Sequence, residues 1–344
     1  MNCLTNREIT VFTVFCLLSG AFLLFFSNYR DYRTIIFPLS SKFFSISSNR
    51  SSLSNSTLKE SRWRTNRLVI IPAMYQEIDW YKKSTWPLWL QQGLDIFNTS
   101  PSRPYDIYLY QRFDPESKPP FNWPYCQNVH EEAGVYLKFI YDFYHDLPDK
   151  MLFIHGKPEK HGLYPIEAAQ CIRDDVFYAN VNNIWIGNRP WIAGIPDPVD
   201  DITFMYKCAV RLLGLLDFDG EIQLNPTNHI RKDMSTYSTM CCAQFYVRKE
   251  RIHHYTYEQW STLYNASIQP YCTNPRDREI PGTNLLKTFG GAMEFLWHII
   301  LGFESTTMPE PRAKTNTDLC HLFRSSCFGS LCNAAISGIQ PLPF

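Results

Sequence analysis

NVHEEAGVYLKFIYDFYHDLPDKMLFIHG, running from Asn128 to Gly156, is the stretch whose reading decides the fold. Between Glu131 and Tyr144 the apolar residues fall at Ala133, Tyr136, Leu137, Ile140, Phe143 and Tyr144, the spacing of one helical face. Asn128 stands where an N-cap would, and Glu131 three residues later fits a capping box. Leu147-Pro-Asp149 stops the helix. Met151-Leu-Phe-Ile154 follows as a short strand with no polar face, and His155-Gly156 opens a loop.

Working outward, Arg67-Leu-Val-Ile-Ile-Pro-Ala-Met74 is a continuous apolar run, the pattern of a strand covered on both faces. Tyr105 to Gln111 reads as a second strand, and Trp80 to Phe97 as helical, with Pro87 as its start or a kink. Strands alternating with helices make a doubly wound α/β domain: a single mixed, largely parallel sheet flanked by helices. Such sheets bind ligands beyond the carboxyl ends of their strands, so Pro72 to Glu77, Gln111 to Asp114 and His155 to His161 are expected around one cleft. Further on, Tyr206 to Leu216 predicts a helix, Cys242 to Val247 a strand, Lys249 to Tyr264 a helix, and Met293 to Leu301 an apolar helix beside Glu294 and His298.

The chain balances 33 basic against 33 acidic residues, so it lacks the basic footprint that nucleic acid requires. With 45% apolar residues it can bury a sizeable core. Ile9 to Phe26 is an uncharged run of 18 residues, long enough as a helix to span roughly 27 Å. It ends in Leu-Leu-Phe-Phe rather than at small residues, which favours an uncleaved signal-anchor over a signal peptide. The expected layout is a cytoplasmic tail at 1–8, a membrane helix at 9–26, a Ser- and Asn-rich stem at 27–66, an α/β domain at 67–304 and a Cys- and Pro-rich extension at 305–344. Arg7 precedes the apolar run, whereas Arg30, Arg33 and Lys42 follow it; these charges favour a cytoplasmic domain. Sequons at Asn49, Asn55, Asn98 and Asn265, and nine cysteines beyond the run, favour a lumenal one, and the lumenal reading is adopted: a single-pass glycoprotein of the Golgi or endoplasmic reticulum. Nine is odd, so at least one of these thiols has no partner within the chain. The cysteine spacings match no zinc pattern.

Four groups of side chains are candidates for chemistry. His155, Lys157, Glu159 and His161 leave the end of a buried strand and offer imidazoles, a carboxylate and a cation to a metal or a phosphate-bearing ligand; a polar turn imposed by Gly156 and Pro158 explains the same residues. Glu132 shares the core-facing helical stripe with Tyr136, so it is either paired or lines a pocket. Asp217-Phe-Asp219 offers two hard oxygen ligands, although Asp-x-Asp-Gly is also an ordinary turn. Glu294 and His298 stand four apart on one helix face, suited to a base or a metal ligand, or merely to each other. No Walker loop, nucleophile elbow, dinucleotide fingerprint or zincin motif is present.

The block Asn128-Val-His-Glu-Glu-Ala133, Tyr136-Leu137, Leu147-Pro-Asp149, Phe153-Ile-His-Gly156 and His161 resembles the core signature of a family catalogued as domain of unknown function 3431. Ala243 to Ile252 and Glu294-x-x-Trp297-His298 are similar to its later part, and the resemblance covers roughly Leu68 to Gly302. The order of elements also looks like that of GT-A glycosyltransferases, in which a first strand receives the nucleotide and a later strand ends in a metal motif. That likeness implies a nucleotide-sugar donor, a glycan or protein acceptor, and manganese or magnesium. Here the motif position holds His155 to His161 and no Asp-x-Asp, so His155 and His161, with Asp217 and Asp219, are the candidate metal ligands, and Glu294, Glu132 and His298 the candidate catalytic groups. A non-catalytic glycan-binding or assembly protein on the same scaffold is the competing expectation, and metal-dependent hydrolysis through the histidines a third.

Overall fold

The computed structural model describes residues 61–97, 102–114, 116–190, 201–218, 236–240, 243–269, 271–272, 287–303, 322–327 and 340–341. All lie in the unit Glu60–Phe344. The expected anchor at 9–26 and the residues Asn49, Asn55, Asn98 and Asp219 lie outside the described residues. Among those described, no helix is long and apolar enough to cross a membrane.

The first strand, β1 (Leu68–Ala73), is buried along its whole length. On one side it pairs with the short β2 (Asp106–Ile107), and on the other it runs parallel to β5 (Lys150–His155), from Leu68 opposite Lys150 to Ala73 opposite His155. β9 (Phe245–Arg248) then adds antiparallel to β5, and β6 (Tyr178–Asn180) antiparallel to β9. The order is β2-β1-β5-β9-β6, with only β9 reversed among the five strands. This is the mixed, mostly parallel sheet expected, but it is accompanied by two smaller sheets rather than standing as the single one. β3 (Gln111–Phe113) and β4 (Tyr125–Gln127) form a separate parallel pair. β7 (Ile184–Pro190), β8 (Thr236–Met240) and β10 (Gln340–Pro341) form a three-stranded sheet.

Strand periodicity sorts the core into two layers. Val69, Ile71, Met151 and Phe153 face the helices α2 (Glu131–Phe143), α4 (Asp201–Gly214), α6 (Tyr257–Ser267) and α7 (Lys287–His298). Leu68, Ile70, Leu152 and Ile154 face α3 (Pro165–Cys171) and Phe323. A smaller aromatic cluster around Trp80, Trp86 and Leu90 packs under α1 (Leu88–Gly93), for which Pro87 serves as the N-cap.

Three local expectations are corrected. Tyr105 to Gln111 is not one strand: the Tyr108 N–H still donates to the Ile70 carbonyl at 2.9 Å, and the chain then leaves β1, the rings of Tyr108 and Tyr110 lying on α2, where the Tyr110 hydroxyl donates to Asp142 at 2.6 Å and Tyr108 packs on Phe139 and Phe143. Lys249 to Tyr264 is not one helix. α5 (Lys249–Ile252) ends, and α6 begins at a capping box in which the Thr256 hydroxyl accepts from the Gln259 N–H and the Gln259 side chain accepts from the Thr256 N–H. The capping box expected from Asn128 and Glu131 does not form: Asn128 donates instead to Asp114, at 3.0 Å, and α2 begins without a side-chain cap.

Candidate active site at the carboxyl edge of the sheet

β1 and β5 end together, and the chain that follows each comes into contact. Beyond β1, the Tyr75 N–H donates to the Glu77 carboxylate at 2.6 Å, and Glu77 lies so close to Gly156 that a Cβ there would come within 2.7 Å of its Cγ. The Tyr75 hydroxyl reaches both carboxylate oxygens of Asp114, at 3.0 and 2.9 Å, just beyond β3. Burial and then the Asp114 contact raise the Tyr75 pKa. The three segments expected around one cleft are therefore brought together.

The loop leaving β5 is held by Gln244, 0% exposed and placed immediately before β9. Its side-chain oxygen accepts the His155 N–H at 3.2 Å, and its amide donates to the Pro158 carbonyl at 3.2 Å. The Asn183 N–H donates to the His161 carbonyl at 2.8 Å. Gly162 passes the Val181 carbonyl so tightly that a Cβ would sit 2.3 Å from that oxygen, a place only glycine fits. With both ends fastened, the rings of His155 and His161 stack at 4.4 Å and 28°. Burial, then the neighbouring His155 and Lys160, hold the His161 pKa down at about 4, so its imidazole is neutral near pH 7. Its Nδ1 is buried without a hydrogen-bond partner.

The start of α2 supplies the carboxylate. His130 and Glu131 both take left-handed backbone, with φ of 52° each, which turns the chain sharply into the helix. Arg112 on β3 bonds the carbonyls of Val129 and Glu131 and fastens that turn. Gly134 permits it, since a Cβ would lie 2.3 Å from the Val129 carbonyl. Glu132 is thereby aimed beneath the loop, 6% exposed, with Oε2 4.0 Å from Nδ1 of His155. Burial, assisted by the charge of Glu131, pushes its pKa up to about 7 against the opposing pull of Arg112. The wholly buried Tyr136 lies one turn along, its hydroxyl unpartnered; burial first, and then the charges of Glu132 and Glu294, raise its pKa. Glu294 on α7 thus acts on the same buried space as Glu132.

Of the remaining candidates, Lys157 and Glu159 are exposed. His298 is 2% exposed, sealed in the core where α7 passes into the π-helical turn Ile299–Phe303. Asp217 does not join the histidines: it accepts a 2.7 Å bond from Gln259 at the start of α6, beside the tyrosines of the carboxyl end of α2. Asn265 is exposed on α6, and its sequon partner Ser267 is buried. Among the described residues no three His, Cys, Asp or Glu side chains come together as a metal-binding group; Asp219 lies outside those residues.

Sequence reasoning missed Arg112 and Gln244 as positioning residues. A polar residue at the mouth of the apolar run Phe245-Tyr-Val was the available signal for Gln244. Residues 78–173, which carry Glu132, His155 and His161, match a known family. Their match is to the model of the family described as protein of unknown function (DUF3431). The DUF3431 segment thus supplies the carboxylate and both imidazoles, while Gln244 and Glu294 come from outside it. No curated protein and no solved structure matches the chain.

Proposed function

We propose that this chain is a membrane-anchored lumenal enzyme that transfers a sugar from a nucleotide sugar to a hydroxyl of a glycan or protein, with Glu132 as general base. The observation that carries the reading is a buried carboxyl poised at about pH 7, 4.0 Å from His155, at the carboxyl edge of a mostly parallel sheet. A base of that pKa is half ionised at neutral pH and so suited to taking a hydroxyl proton. In the proposed step the acceptor oxygen bonds to the anomeric carbon, the bond from that carbon to the diphosphate breaks, and the acceptor proton passes to Glu132. His155 stands 4.0 Å from the carboxylate with the neutral His161 stacked on its ring, and the exposed Lys157 supplies positive charge against the departing diphosphate. No part of this step is routed through a metal. The Golgi or endoplasmic-reticulum location and the GT-A-like reading belong to the same proposal, supported by the two disulfides and by the adjacent parallel ends of β1 and β5.

The test is calorimetry on the purified full-length chain with free nucleoside diphosphates and their sugar conjugates, with and without manganese, followed by assay of transfer to a glycan acceptor. Binding is expected, with transfer lowered about 10²- to 10⁴-fold in Glu132→Gln. No heat with any of these compounds would remove the reading. The partly exposed stacked pair Phe121 and Trp123 favours a second reading, glycan binding without catalysis. Glycan capture that persists at full strength in Glu132→Gln, with no transfer by the unaltered chain, would select it.

A further inference from the structure

The opposite edge of the same sheet carries a basic hollow that the proposed reaction does not use. β1 and β5 start in register, Leu68 beside Lys150, five residue steps from the Ala73–His155 pair, or about 17 Å away along the strands. There a depression of about 290 Å³ opens, close to the size of small-molecule pockets. Three cations, Arg67, Lys150 and Arg324, line it together with the polar Thr65, Asn66 and Gln170, over a floor of Leu68 and Ile172. No acidic side chain of the described residues lines it.

The carboxylates nearest these cations are already shared. Asp106 is 3.5 Å from Arg67 and 2.5 Å from Arg103, and Asp174 is 2.5 Å from Lys150 and 3.0 Å from Arg324. Each of these two carboxylates thus meets two cations, and Arg103 has Asp95 as a further partner. The side chains of Arg67 and Lys150 are only 16% and 12% exposed, so their charge is poorly screened and directed into the hollow rather than spread over the surface.

Arg324 is placed by construction. The disulfide Cys171–Cys327 ties its segment to α3, the Arg324 N–H donates to the Cys171 carbonyl at 2.8 Å, the Arg173 N–H donates to the Leu322 carbonyl at 2.9 Å, and Ile172 bridges Phe323. A cation brought from 150 residues downstream of Asp174 and fastened so firmly beside Lys150 is a preorganised donor. Guanidinium forks and an ammonium around a concave polar wall suit a compact anion with several acceptor oxygens.

We propose that this hollow binds a tetrahedral oxyanion, the sulfate or phosphate group of a small ester, at a site separate from Glu132 and His155. The proposal stands independently of the transfer reaction. Titrating the full-length chain with inorganic sulfate and with inorganic phosphate, each against chloride at matched ionic strength and pH 8, is expected to show one saturable site. The tighter of the two identifies the sulfate or the phosphate ester as the source. Arg324→Gln and Arg67→Gln are each expected to weaken it at least fivefold, whereas Glu132→Gln leaves it unchanged. Arg324 is the more exposed residue, so its variant keeps the test open should Arg67→Gln fold poorly. Responses to sulfate and phosphate no greater than to chloride, or affinity within twofold of the unaltered chain in both arginine variants, would overturn the proposal.

Discussion

At the scale of single residues, Glu132 and His161 set opposing pH dependences. Glu132 holds its proton more tightly in the folded chain, at about 7 against an ordinary 4.5, so its contribution to stability is full below pH 4.5 and is lost as pH rises through about 7. The shift corresponds to about 3 kcal/mol at most. His161 holds its proton less tightly, at about 4 against 6.5, so its contribution is present above pH 6.5 and is lost as pH falls through about 4. Between pH 4.5 and 6.5 the two trends oppose each other. Glu132→Gln is therefore expected to be more stable than the unaltered chain at pH 8, by up to about 3 kcal/mol, and to lose stability on acidification through this window. His161→Gln should instead gain stability as pH falls from about 7 to 4.5. Urea unfolding at half-unit pH steps measures both. Superimposable pH profiles for the unaltered chain and Glu132→Gln would show that this carboxyl is not desolvated on folding.

At the scale of elements, what was legible in the sequence follows from how local its cause is. β1 and β5 are unbroken apolar runs because both their faces are covered, and α2 shows helical spacing because one stripe faces the sheet; Glu131 as its first residue and the end near Tyr144 follow from that spacing. The meeting of the segments beyond β1 and β5 also follows, because parallel neighbours end together; Asp114 joins them from β3, outside that sheet, through the Tyr75 hydroxyl. What stayed hidden depends on distant partners. Gln244 holds His155 across 89 positions, and Asn128 deserts its capping role for Asp114, 14 positions earlier. The break between α5 and α6 was written locally, in Thr256-x-x-Gln259, but helix-favouring residues on both sides conceal it. The loop carrying His155 and His161 acts as one element fixed at two ends, and Gly162 is its tighter fixing. Gly162→Ala must displace either the loop or the Val181 carbonyl, because the atom it meets is backbone and cannot rotate away. A loss of about 1–3 kcal/mol in unfolding free energy is expected, together with reduced transfer at saturating substrate, since the ring stack moves with the loop. Unfolding midpoints and kcat measured on the same preparation check this; a variant losing neither would mean that the loop is free to shift.

At the scale of the whole molecule, covalent ties bind remote parts of the chain to the sheet that carries the site. Cys171–Cys327 joins α3 to a segment 156 residues later, and Cys208–Cys272 joins α4 to the chain beyond α6, across 64 residues. Cys126 is buried and free, with burial pushing its thiol pKa up to about 11, so it is unreactive at neutral pH. Closing loops of these lengths lowers the entropy of the unfolded chain by an amount equivalent to about 5 and 4 kcal/mol respectively. Those figures are large beside the total stability of a typical domain. Replacing Cys208 and Cys272 together by Ala is expected to lower unfolding free energy by up to about 4 kcal/mol; reducing agent should destabilise the unaltered chain further, because it also opens Cys171–Cys327. Denaturant titration with and without reductant measures the difference, and peptide mapping after alkylation under non-reducing conditions supplies the chemical check. Mapping should recover Cys171 joined to Cys327 and Cys208 joined to Cys272, with Cys126 alkylated only after unfolding. Four alkylated thiols at the paired positions in protein isolated from its own cells without reductant would contradict the bonds and, with them, the proposed lumenal placement.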